Sequence, residues 1–188
     1  KKAYELFKKA SDLRDTRALI RLGGCYYFGR GVDQDYKKAY ELFEKASNLG
    51  NTDATVSLGN CYWYGRGADK DYKKAYELFE KASNLGNIRA IVSLGNCYWY
   101  GRGVPQDYKK AYELFEKASC LGNTDAMIEL GYCYCYGNGI DMDNKKEYEM
   151  YKKASDLGNT RAMIKLGGCY YCGNGVDMDN KKAYGMYK

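Results

Sequence analysis

Apolar and polar positions in this chain fall into blocks of about a dozen residues, and each block has helical spacing. In one kind, Ala54, Leu58 and Cys61 or Tyr62 follow Asn51, a plausible N-cap, at steps of three and four until Gly65 stops the run. That pattern predicts a first helix, helix A, over roughly Thr52 to Tyr64. The loop Gly65-Arg66-Gly67-Ala68-Asp69-Lys70 then leads to Asp71, a carboxylate placed to accept from the free amides of a second helix. Helix B carries Tyr72, Ala75, Phe79 and Ala82 as an apolar stripe, with Lys73, Glu77 and Lys81 four apart on another side. Gly86 ends it through a left-handed cap.

The same two blocks return along the whole chain. KKAYELF begins at Lys1, Lys37, Lys73 and Lys109, and variants of it begin at Lys145 and Lys181, a period of 36 residues. LGxCY keeps the same rhythm at Leu22, Leu58, Leu94, Leu130 and Leu166. The predicted organisation is one repeat array over 1–188. It divides into a partial unit 1–14 holding a helix B, full units 15–50, 51–86, 87–122 and 123–158, and an incomplete unit 159–188. Since the chain opens and closes inside the motif, it reads as a piece of a longer array. One helix pair cannot bury both of its apolar stripes, whereas stacking on neighbouring pairs does.

Gly59, with counterparts Gly23, Gly95, Gly131 and Gly167, sits in the middle of helix A, where glycine costs about 1 kcal/mol relative to alanine. Close approach of helix B at a point where no side chain fits is the expected compensation.

The phrase through Ala54, Leu58, Gly59, Tyr62, Gly65, Gly67, Asp71, Lys74, Ala75, Phe79, Lys81, Ala82 and Gly86 resembles the Sel1-like repeat, a relative of the tetratricopeptide repeat. The resemblance implies an all-α fold, a right-handed α-solenoid of stacked helix-turn-helix units with helix A lining the concave side. It also implies an adaptor role in holding other proteins. The departures fall late in the chain, where Glu147 replaces the helix B alanine and Tyr151 the phenylalanine, and packing is expected to be looser there.

A comparison of the five helix A segments separates structural from free positions. The columns of Ala18, Ile20, Leu22, Gly23, Cys25 and Tyr26 hardly change, whereas those of Arg17, Arg21, Gly24 and Phe28 vary and form one stripe. That stripe reads Arg17 and Arg21, then Asp53, Ser57 and Asn60, then Arg89, Ser93 and Asn96, then Asp125, Glu129 and Tyr132, and then Arg161 and Lys165. Its charge alternates in sign from unit to unit, which suits a protein or peptide partner of mixed charge. Beside it stand Tyr27, Trp63, Trp99, Cys135 and Tyr171. Trp63 and Trp99 read either as interface anchors or as packing between repeats.

The net charge of +6 raises the question of nucleic acid. Lysine pairs such as Lys37-Lys38 are followed closely by glutamates, so the basic residues make a solvated helix surface, not a phosphate track. The GRG and GNG loops follow helix A as caps and turns, unlike a phosphate cradle. No run of apolar residues is long enough for a membrane span.

Chemistry has little to draw on. The chain has no histidine, and its acids read as caps or surface pairs. No enzyme activity, small-molecule substrate, cofactor or metal is expected. Five of the eight cysteines, Cys25, Cys61, Cys97, Cys133 and Cys169, recur once per unit in helix A. Packed helices stand too far apart for these to bridge, so they are expected to be reduced core thiols. The resemblance extends to a cysteine-rich secreted branch with a disulfide in each repeat; here Ser47 and Thr55 stand around those places, which implies a reducing compartment, most simply the cytoplasm. The functional expectation is an adaptor that binds a peptide or protein on the helix A stripe. The alternatives are a structural spacer, or a regulatory array attached to an enzyme domain elsewhere.

Overall fold

The computed structural model describes residues 2–12 and 15–186. Lys1, where the first copy of the motif starts, and the last two positions of the 159–188 unit lie outside the described residues. Those described form α1 (Lys2–Asp12), α2 (Thr16–Phe28), α3 (Tyr36–Asn48), α4 (Thr52–Tyr64), α5 (Tyr72–Asn84), α6 (Ile88–Tyr100), α7 (Tyr108–Cys120), α8 (Thr124–Tyr136), α9 (Asn144–Asp156), α10 (Thr160–Cys172) and α11 (Asn180–Met186). No strand occurs among them. They gather into two compact units, one reaching to Ala90 with Arg102–Val104, the other formed by Ile91–Gly101 and the chain from Pro105 onward.

Helix boundaries follow from the caps. Asn51 Oδ1 accepts from the Ala54 amide at 3.1 Å, which starts α4, and Gly65, at φ +68, ends it with a left-handed cap. Asp71 accepts from the Lys74 amide at 3.0 Å and starts α5. That helix closes at Leu85, and Gly86 takes the positive φ one residue later. The cap of helix A also ties repeat to repeat: the Asn51 amide donates to Thr16 Oγ1 at 3.2 Å, and Asn87 and Asn159 do the same to Thr52 and Thr124.

Within each unit helix A packs on the helix B that follows it, α2 on α3 and α4 on α5 in the first, α8 on α9 and α10 on α11 in the second. The glycine column explains how. A Cβ on Gly23 or Gly59 would sit inside the ring of Phe43 or Phe79, and on Gly95 or Gly131 inside the ring of Phe115 or Tyr151. Helix A therefore has a notch, and an aromatic ring of helix B fills it. Ala39, Ala75 and Ala111 beside these rings are fully buried, so the two backbones run close. Gly67 serves a second approach, since a Cβ there would overlap the Tyr36 carbonyl of the previous repeat.

Successive repeats also join through tyrosine pairs. The hydroxyls of Tyr40 and Tyr62 share a hydrogen bond at 2.8 Å, as do those of Tyr112 and Tyr134 at 3.2 Å and Tyr148 and Tyr170 at 3.0 Å, with the rings edge to face. Lys38, Lys74, Lys110, Lys146 and Lys182, each the second of its pair, lie over the ring of the helix A tyrosine and against the carboxylate that caps their own helix, as Lys38 does with Tyr26 and Asp35. One lysine of each of these five pairs thus serves the repeat itself. Tyr151, the residue expected to loosen the packing, is only 2% exposed and fills the Gly131 notch.

All eight cysteines are free. Ser47 and Thr55 instead share a buried hydrogen bond at 2.8 Å. Among the described residues no group of side chains is arranged to hold a metal ion, and no helix is long and apolar enough to cross a membrane.

Two outcomes follow from this packing. Gly95→Val is expected to cost about 1–3 kcal/mol or more by driving the Phe115 ring out of its notch, whereas Gly24→Ala, with open space around the new Cβ, should stabilise by up to about 1 kcal/mol. Thermal unfolding followed by circular dichroism separates the two, and equal midpoints would refute the notch. Burial pushes the thiols of Cys61, Cys97, Cys133 and Cys169 up to about 12, so at pH 8 they stay protonated and unreactive. Exposed Cys120 and Cys172 should react first with a thiol reagent, and the four core thiols only on unfolding.

Candidate functional site

The stripe residues of helix A lie at or near the surface. In the first unit Arg17, Arg21, Asp53 and Arg89 are exposed and Asn60 is partly buried; in the second, Asp125 is exposed and Ser93, Asn96 and Tyr132 are partly buried. Glu129 is more enclosed than its place in the stripe implies, because Arg161 of the next repeat covers it at 3.7 Å while also reaching Asp125 at 3.4 Å. Burial holds the Glu129 carboxyl above its ordinary value, and Arg161 offsets that only in part. In the first unit Asp53 accepts from the Asn87 amide at 2.9 Å. The alternating charges read from the sequence are therefore partly satisfied between neighbouring repeats. Arg21 and Arg89 remain at the surface.

Trp63 is not an exposed anchor. Its indole is 9% exposed, packed edge-on against Tyr72 and tilted against Phe79, with the Arg102 guanidinium 5.4 Å above it. Trp99 is partly buried in the same arrangement, against Tyr108 and Phe115. Of the two readings open in the sequence, packing describes these indoles. The residue after each of them points outward instead. Phe28 and Tyr64 in the first unit and Tyr100 and Tyr136 in the second are between 53% and 62% exposed, one step of about 100° round the helix from the buried column. They belong to the variable stripe. Their column, Phe28, Tyr64, Tyr100, Tyr136 and Cys172, varies no more than the covered column of Tyr27, Trp63, Trp99, Cys135 and Tyr171, so variability alone does not separate the exposed ring from the covered one.

A second arrangement is confined to one repeat of the second unit. Where other repeats place Ala39, Ala75 or Ala111, α9 carries Glu147, which is 5% exposed and whose Oε2 has no hydrogen-bond partner. Beside it Cys135 of α8 replaces the indole or phenol of the other repeats. The smaller side chain leaves a cavity of about 330 Å³ lined by Glu147, Cys135, Tyr132, Tyr136, Tyr151 and Lys165 among others.

The geometry defines a class, the helix-pair α-solenoid, in which the same helix-pair packing recurs from repeat to repeat. The chain belongs to the Sel1 repeat family. The family's sequence pattern matches it six times, over residues 1–15, 16–51, 52–87, 88–123, 124–159 and 160–188, and Sel1 repeats generally serve as protein–protein interaction modules. Among solved structures it is similar to a Sel1 repeat protein from Oxalobacter formigenes, at 30% identity over 97% of this chain and 75% of that one, with a TM-score of 0.83. It is also similar to a protective antigen of uropathogenic Escherichia coli displaying the same fold, at 31% identity over 97% of this chain, with a TM-score of 0.77. The chain spans only 39% of that antigen's length. Cysteine rich protein B of Helicobacter pylori matches 69% of this chain and 92% of its own length, at 28% identity and a TM-score of 0.53. No curated protein sequence matches the chain.

Glu147 sets a pH dependence. Burial raises its carboxyl above the ordinary value of 4.5, with the Cys135 thiol and Lys165 partly opposing. The folded chain then holds this proton more tightly than the unfolded one. Its contribution is fully present below the unfolded value and is lost as pH rises through the folded value. Glu147→Ala should therefore raise the thermal midpoint more at pH 8 than at pH 4, and a larger gain at pH 4 would contradict the burial.

Proposed function

We propose that this array is a protein-binding module that takes a peptide or protein segment along the helix A stripe of its units. The observation that carries the reading is the outward aromatic at the end of each helix A from α2 to α8, Phe28 and Tyr64 in one unit and Tyr100 and Tyr136 in the other. Within a helix A the ring follows a stripe residue by one turn, as Tyr64 follows Asn60 and Tyr100 follows Asn96. Tyr64 borders Arg66 at the joint between repeats yet stays 55% exposed, and tyrosine beside arginine and polar groups is the composition of binding hot spots. Charged groups with both signs on one face favour an extended partner with polar and charged side chains of its own. The lysine pairs lend no support to a nucleic-acid partner, since Lys38, Lys74, Lys110, Lys146 and Lys182 are engaged with their own caps and rings. A catalytic reading has no histidine to use, and the non-catalytic role is part of the proposal.

The test is selection of peptides from a displayed random library on the intact chain, followed by binding to variants. Tyr64→Ala with Arg89→Ala should weaken the selected peptides by about tenfold or more, the loss usual for hot-spot residues, without moving the thermal midpoint. Trp63→Ala should lower the midpoint. Selected peptides that bind the Tyr64/Arg89 variant undiminished would overturn the stripe, and a library that yields no binder would favour a structural spacer.

A further inference from the structure

The cavity at Glu147 has an internal precedent in the first unit. The loop after α4 carries Arg66, whose guanidinium lies 5.3 Å from the rings of Tyr27, Tyr36 and Tyr64 and donates to the Tyr27 hydroxyl at 2.9 Å. One repeat later Arg102 does the same over Trp63 and Tyr72, at 5.4 and 5.1 Å. In both places a guanidinium of the following repeat fills the aromatic corner between helix A and helix B. Two periods beyond Arg102 the residue is Asn174, and it lines the cavity. The rings of that corner are gone as well, replaced by Cys135 and Asn144. In their stead stand a buried carboxylate and three other tyrosines. Tyr132 and Tyr136 stack 6.3 Å apart, and Tyr132 meets Tyr151 edge-on at 6.2 Å.

We propose that this cavity is a binding site for one guanidinium group brought from outside the chain. Every other repeat with a buried residue at the Glu147 position has alanine there, so the carboxylate is not a packing requirement. One of its oxygens accepts a hydrogen bond from the Cys135 thiol, and the other, Oε2, is buried without a donor. An ionised carboxylate so placed lacks an N–H, and a guanidinium offers planar N–H pairs while stacking on tyrosine faces. The one cation already at the rim, Lys165, lies 5.0 Å from the Tyr132 ring and hydrogen-bonds that tyrosine. It leaves Oε2 unpartnered and opposes an incoming cation. Lys165 and Tyr132 both belong to the helix A stripe, so under the peptide-binding reading the natural source of the group is an arginine side chain of the partner. That step rests on the reading above; the site itself does not.

The probe is N-methylguanidinium, titrated at constant ionic strength against sodium into the whole chain carrying 13C-carboxyl glutamate. Saturable shifts confined to the Glu147 carboxyl resonance and to the Tyr132 and Tyr136 ring protons that line the cavity are expected, the rings being the readout in Glu147→Ala, with the carboxyl titration moving to lower pH as the cation binds. Glu147→Ala, which installs the residue of the other repeats, should weaken binding by about tenfold or more, as loss of a charge-assisted hydrogen bond does. Asn174→Arg should abolish it by restoring the chain's own guanidinium, and Lys165→Met should tighten it. A shift that never saturates, or that sodium reproduces, overturns the proposal, as does undiminished binding to Glu147→Ala or Asn174→Arg. Because the probe carries the guanidinium alone, failure of peptide selection leaves this result standing, and failure here leaves the stripe standing. An arginine-containing selected peptide that competes with the probe identifies the side chain as the source; a selected peptide that binds without competing refutes that source and leaves a free guanidino compound as the ligand.

Discussion

The ring of Phe79 occupies the space that a side chain on Gly59 would need, and that steric exchange governs the rest of the repeat. The glycine gives up about 1 kcal/mol of helix propensity, while burial of the ring returns about 1.5–3 kcal/mol. Once the ring is seated, the distance between helix A and helix B is set. Around a phenylalanine ring the neighbouring position is a fully buried alanine, Ala39, Ala75 or Ala111, and the loop must turn back within a few residues through a glycine that itself touches the preceding repeat. In the repeats of Gly23, Gly59 and Gly95 the seated ring is a phenylalanine, and in that of Gly131 a tyrosine. Positions outside this interlock have no structural reason to stay the same, and outside the repeat of Tyr151 and Glu147 they carry most of the variation.

The helices were legible because their ends are marked chemically. Asn51 and Asp71 are caps, Gly65 takes the left-handed turn, and α4 runs from Thr52 to Tyr64 as the spacing predicts. The notch was legible too, since a mid-helix glycine in every unit demands a close neighbour. The orientation of the aromatic pair at the end of helix A was not. Trp63 and Tyr64 differ by one position, and only the register of the following helix B decides which ring is covered. In this chain Tyr72 and Phe79 cover the indole. Tryptophan's reputation as an anchor pointed one residue away from the exposed column.

Glu147 shows a different limit. As a departure from the repeat it is plain in the sequence, but its consequence depends on Cys135, twelve positions earlier, and Asn174, twenty-seven later. Each substitution alone reads as tolerable variation. Only the stacking of three helices brings the lost indole, the lost arginine and the added carboxylate to one place. Sequence periodicity reports what is common to the repeats, and a site made by exceptions in several columns is invisible to it until the columns are folded together.

That distinction bears on whether the array is a passive spacer. Stability in a repeat stack is close to a sum of nearest-neighbour contributions, so a deficit in one repeat is local and can be absorbed by the others. A buried carboxyl with an unpartnered oxygen is such a deficit, and alanine at the same place would remove it. A spacer has no use for the deficit, since its only requirement is a rigid, well-packed length. A module that must distinguish one partner from another does have a use for it. A ligand that supplies a donor to Oε2 relieves the penalty of the ionised carboxyl without its taking up a proton, and a ligand without such a donor leaves that penalty in place. The repeat carrying Glu147 therefore fits a role in discrimination, while the repeats around it supply the stability that allows the exception.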